Sequence, residues 1–68
     1  MPYRSNRDLP ENLRRILPEH AQDIYRAAFN HAWAGLERAE DEAAARRIAW
    51  GAVKRSFRKV EGRWVPKP

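Results

Sequence analysis

The side chains that could do chemistry are few and scattered. His20 and His31 are three helical turns apart, which would set them on similar faces about 16 Å from each other. One metal ion cannot bridge that distance. No histidine pair at i,i+4 and no Asp-rich loop accompanies them. They read instead as a first-turn residue that caps the helix or pairs with Asp23, and a polar helix-face residue. Ser5 and Ser56 are the only hydroxyl nucleophiles besides the tyrosines, and neither sits in a Gly-flanked elbow. Cysteine is absent, which removes thiolate nucleophiles, disulfides and thiolate metal sites together. Three scattered glycines make no phosphate loop. The expectation is no catalytic residue, no metal, no cofactor and no small-molecule substrate: not an enzyme.

Charge is the more informative chemistry. Fourteen basic and nine acidic residues give a net charge of +5. The excess lies in residues 46 to 68, where Arg46, Arg47, Lys54, Arg55, Arg58, Lys59, Arg63 and Lys67 face Glu61 alone. Arg47, Lys54 and Arg58 recur at i, i+7 and i+11, one stripe of a helix, with Arg55 and Lys59 in the next row. Such an excess suits an acidic partner: an acidic protein surface, anionic lipid, or nucleic acid held by non-specific phosphate contacts. The plainer reading is a solvated helix face. Residues 37 to 42 are the counterweight, with Glu37, Glu40, Asp41 and Glu42 against Arg38.

The elements that must position these groups follow from the apolar spacing. Sixty-eight residues allow one core. Asp8 before Glu11, with Pro10 in the first turn, predicts a short helix over about 9–17 capped by Asp8. Pro18 breaks it. Ala21, Ile24, Tyr25, Ala28, Phe29, Ala32, Trp33 and Leu36 then form one stripe at the 3.6 period, predicting a helix over 19–37. One unbroken helix from 19 to 59 would be about 60 Å long and could not bury its own stripe. For a monomer a turn is therefore placed near 38–41, with Glu40 or Asp41 as the next N-cap. The rival is one long helix in a domain-swapped or coiled-coil dimer, against which the large apolar residues sustain no heptad across 38–47. The third helix is expected over 41–57, burying Ala45, Ile48, Ala49, Ala52, Val53, Ser56, Phe57 and Val60. Trp50 lies about 100° from Ala49 and should border the core, touching the first helix or the tail; as a partner contact it would be a hot spot. Gly62 marks a turn before an extended Trp64-Val65, and Pro2 keeps the N-terminus extended. The expected fold is mainly α: a compact three-helix domain, closed by a short two-stranded pairing of the N- and C-terminal segments, with Tyr3 and Trp64 beneath the core.

Several short motifs in a fixed order carry a resemblance. Met1-Pro2-Tyr3, Asp8-Leu9-Pro10, Leu17-Pro18, His20-Ala21-Gln22, Ile24-Tyr25 and Ala28-Phe29-Asn30 are followed by Ala49-Trp50, Ala52-Val53-Lys54 and a late Trp64. Over residues 1 to 65 the chain resembles the ChaB family. It departs in a short acidic linker at 38–42, in Gly51 where the family commonly has Ala, and in Phe57 where Tyr is usual. The resemblance implies a single ChaB-like domain over 1–68, helical with a little terminal β-structure. It implies a non-enzymatic regulator of a membrane cation/proton antiporter of the ChaA type, which exports calcium and sodium in exchange for protons. Related domains accompany Rho-type N-terminal domains and occur in viral proteins, which keeps nucleic acid among the expected partners.

Of the motif residues, Ile24, Tyr25, Phe29, Ala49 and Trp50 read chiefly as packing. Gln22 and Asn30 are polar, about two turns apart, and read as hydrogen-bonding the termini or linker, or else as partner contacts. The candidate partner-binding residues are thus Arg47, Lys54, Arg55, Arg58, Gln22, Asn30 and Trp50. Met1 to Asp8 lacks the apolar stretch of a signal peptide, no run of about 18 apolar residues could span a membrane, and the absence of cysteine suits a cytoplasmic setting.

Overall fold

The computed structural model describes residues 3–34 and 42–68. A single 3₁₀ turn, Asn6–Asp8, leads into helix α1, Glu11–Ile16; α2 is Glu19–Ala34 and α3 is Glu42–Ser56. Two strands follow, β1, Phe57–Val60, and β2, Arg63–Pro66, paired as an antiparallel hairpin. Leu36, Glu37, Glu40, Asp41 and the turn expected near 38–41 lie outside the described residues, as do Met1 and Pro2.

The buried side chains follow a four-residue rule. Leu9, Leu13, Leu17, Ala21, Tyr25 and Phe29 form one run, and Ala45, Ala49, Val53 and Phe57 form the other. Rows at i±4 are the ridges by which helices pack. The two rows meet with α2 and α3 antiparallel: the His20 ring at the start of α2 lies 6.0 Å from Phe57, and Tyr25 lies 5.6 Å from Trp50. Ala45 and Ala49 are fully buried, so α3 approaches α2 closely on small side chains. Ile48, beside that narrow row, stays 52% exposed, against the expectation that it is core.

Asp8 does not cap α1. Its carboxylate accepts from the amides of Arg4 and Ser5 at 3.1 and 3.2 Å, holding the 3₁₀ turn. Leu9 precedes a proline and is extended (φ −67°, ψ 151°), because proline disfavours helix in the residue before it. The helix therefore starts later, and the Pro10 carbonyl takes the first bonds, from the amides of Leu13 and Arg14.

The small sheet also differs from the expected one. The C-terminal segment pairs with β1 rather than with the N-terminus, in the register Phe57↔Pro66, Arg58↔Val65, Lys59↔Trp64 and Val60↔Arg63. Glu61 (φ 51°) and Gly62 (φ 82°) both occupy the left-handed region, which a two-residue hairpin loop of the I′ type requires. Helix α3 thus ends at Ser56, and Val60 is a 41% exposed strand residue, not a helix-core one. Tyr3 instead bonds α2: its amide donates to Asn30 Oδ1 at 2.8 Å, and Asn30 Nδ2 donates to its carbonyl at 2.7 Å.

Candidate interaction surface around Trp50

Six aromatic rings form one chain through the molecule. Trp33 stacks on Phe29 at 5.8 Å, Phe29 on Tyr25 at 6.1 Å, and Tyr3 lies 4.9 Å from Phe29. Tyr25 meets Trp50 edge-on at 5.6 Å, and Trp50 meets Trp64 at 5.5 Å with the planes tilted by 37°. Trp50 therefore borders the core and touches the tail, as its position on α3 predicts. It is half-buried, and so is Trp64.

Three open hollows share the Trp50 indole. One lies between it, Trp64, Ile16, Lys54 and Lys59; a second is bounded by Arg46, Arg47, Gly51 and Lys54; a third runs towards Tyr3, Tyr25 and Leu13. Each lining group has a local cause. Arg47 and Lys54 are seven residues apart on α3 and share a side. Gly51 between them has nothing within 4 Å of where a Cβ would be, so the hollow stays open. Lys59 reaches the site through the hairpin: opposite residues of a ladder share a face, and Lys59 is opposite Trp64. Arg46 is held by Glu42 at 2.5 Å.

The helical stripe expected of Arg47, Lys54, Arg55 and Arg58 is divided by the fold. Arg47 and Lys54 stand with Trp50. Arg55 lies on the other flank of α3, with His31, Ala28 and Ile48. Arg58 is in β1 opposite Val65, one residue from Lys59, so it points to the other face of the hairpin. Lys59 and Ile16 join the Trp50 face without having been read as site residues. Ile16 is 49% exposed. The signal for Lys59 was present: a two-residue Glu61-Gly62 loop places Phe57–Val60 opposite Arg63–Pro66.

Gln22 and Asn30 are engaged internally. Gln22 Nε2 donates to the carbonyls of Leu17 at 2.9 Å and Arg14 at 3.3 Å, tying the end of α1 to α2. Asn30 clamps Tyr3. Asp23 does not pair with His20; Asn6 Nδ2 donates to its Oδ1 at 2.6 Å, and Arg26 bridges Asn6 and Asp23. Among the described residues no cluster of three His, Asp or Glu side chains could hold a metal ion, and no helix is long and apolar enough to cross a membrane. Burial raises the phenols of Tyr25 and Tyr3 above their ordinary value. The neighbouring Tyr3 adds to the rise at Tyr25, and Glu42 to that at Tyr3.

These features define a class: a small helical domain with an appended hairpin and an outer face of indoles and cations. The chain belongs to the ChaB family, whose family model matches residues 9–67. It is similar to proteins of Escherichia coli strain K12 and Shigella flexneri named "Putative cation transport regulator ChaB", at 46% identity, covering 98% of this chain and 99% of theirs. That alignment runs over 75 positions against 68 residues here, so these relatives hold several residues that this chain lacks. An NMR solution structure of ChaB superposes with a TM-score of 0.83 at 41% identity, covering 98% of this chain and 100% of that one.

Proposed function

We propose that the protein is a non-enzymatic regulatory binding module that docks on the cytoplasmic face of a cation/proton antiporter of the ChaA type. The observation that carries this reading is the similarity, across nearly the whole chain, to relatives named as regulators of cation transport. The surface supports it physically. On one face Arg47 and Lys54 of α3 and Lys59 of the hairpin can meet acidic loops, and the half-buried indoles beside them supply the apolar contact that concentrates binding energy at interfaces. A module of this kind regulates only if it binds one transporter conformer better than another. A tenfold preference moves that equilibrium by about 1.4 kcal/mol.

The test is ion-coupled proton movement in everted vesicles carrying such an antiporter, with and without saturating purified protein. A changed rate or apparent ion affinity is expected. Identical transport curves with the protein shown to be folded would overturn the reading.

A further inference from the structure

We infer that the Trp50–Trp64 face binds an acidic peptide segment bearing one large apolar side chain. Its carboxylates meet Arg47, Lys54 and Lys59, and its apolar side chain fills the hollow between the indoles and Ile16. This inference rests on the binding-module reading above and assigns it a site and a ligand chemistry.

The ligand follows from what surrounds the hollow. Its floor is apolar: two half-buried indoles and an isoleucine left 49% exposed. Its rim is cationic, and among the described residues no carboxylate lines it or the adjoining hollow. Arg46 is already neutralised by Glu42, whereas Arg47, Lys54 and Lys59 make no ion pair among the described residues. An apolar centre ringed by cations complements an apolar anchor flanked by acids. The geometry leaves no room for a nucleobase sandwiched between the indoles, which are in contact at 5.5 Å and tilted by 37°, and both rings are half-buried rather than open platforms for stacking. It disfavours a lipid surface as well: binding at a bilayer interface scales with the apolar area inserted, and here Ile16 alone is exposed while the two indoles are half-buried.

The experiment uses the full chain labelled with ¹⁵N and reads its three indole N–H signals, from Trp33, Trp50 and Trp64. Trp33 stacks on Phe29 at the far end of the aromatic chain and serves as the internal control. The probe is a short synthetic peptide of Glu and Asp around one central Phe. Saturable shifts of the Trp50 and Trp64 signals, with Trp33 unmoved, are expected. Affinity should fall about tenfold when the Phe is replaced by Ala, and by as much in the double variant Lys54→Glu with Lys59→Glu. Both lysines are exposed, so that variant should keep its fold, which an unmoved Trp33 signal verifies. Arg55→Glu with Arg58→Glu, on the other faces, should change affinity less than about threefold.

The inference is overturned if no saturable shift occurs, if the Ala peptide binds as well, or if the Arg55 and Arg58 pair matters as much. It is equally overturned if an oligonucleotide or a phosphatidylglycerol vesicle moves the two indoles at lower concentration than the peptide does. The transport assay separates this from the regulatory reading. Regulation that survives the lysine variant defeats the peptide site alone. Peptide binding without any effect on transport defeats regulation alone.

Discussion

Asn30 shows how one side chain can fix a whole segment. Its amide presents an acceptor and a donor in the arrangement of a strand partner, and both engage the backbone of Tyr3. That clamp sets the Tyr3 ring against Phe29. Replacing Asn30 by Ala removes two hydrogen bonds, each worth about 1 kcal/mol net, so unfolding in urea should register a loss of about 1–2 kcal/mol. Amide exchange at Tyr3 should accelerate in parallel. Unchanged protection would show that ring packing alone holds the segment. Gly62 is the second residue with a singular duty. At φ 82° an added Cβ is strained by about 1–2 kcal/mol, although nothing lies within 4 Å of it. Gly62→Ala should destabilise by about that amount, with exchange at Lys59 and Trp64 rising first. A variant as stable as the parent would mean that the loop changes type at no cost.

At the scale of elements, α3 has an inside and an outside that tolerate opposite changes. Ala49 is fully buried against α2, while Gly51 faces open space. Gly51→Ala should stabilise by about 0.5–1 kcal/mol by restricting the unfolded chain and restoring helix propensity. Ala49→Leu should cost about 1–3 kcal/mol by overpacking the row. Thermal melts of the two variants should move in opposite directions, and a lower midpoint for Gly51→Ala would contradict the open position of Gly51.

The helical stripes were legible because each lies within one continuous stretch of chain. Ala21, Tyr25 and Phe29, and Ala45, Ala49 and Val53, announce themselves by period. The end of α3 was not legible in the same way. No glycine or proline interrupts Ser56 to Val60, and the strand state of those residues is decided by pairing with 63–66 across the loop. Ile48 was misplaced because periodicity gives the centre of a face and not its width; two alanines narrow the contact so that one row suffices.

For the molecule as a whole, the candidate site was half readable. Trp50, Arg47 and Lys54 share α3 and could be grouped from spacing, but Lys59, Trp64 and Ile16 reach the same face from β1, β2 and the end of α1. Only the tertiary fold joins them. The aromatic chain that joins them also couples global stability to pH. Below about pH 9 the phenols of Tyr3 and Tyr25 are neutral in both folded and unfolded chains, so they add no slope. Above it the unfolded chain gives up its phenolic protons first, because burial holds the folded phenols above the ordinary value. The unfolded state then binds fewer protons than the folded one, and stability falls as pH rises until the folded phenols ionise too. Urea unfolding between about pH 9 and 11 should show this decline, and it should flatten in a Tyr25→Phe variant and flatten further when Tyr3→Phe is added. Tyr25 packs edge-on against Trp50, which in turn meets Trp64, so the decline should be accompanied by a change at those indoles, read by their fluorescence. An equally steep decline in the double variant would move the cause away from the phenols.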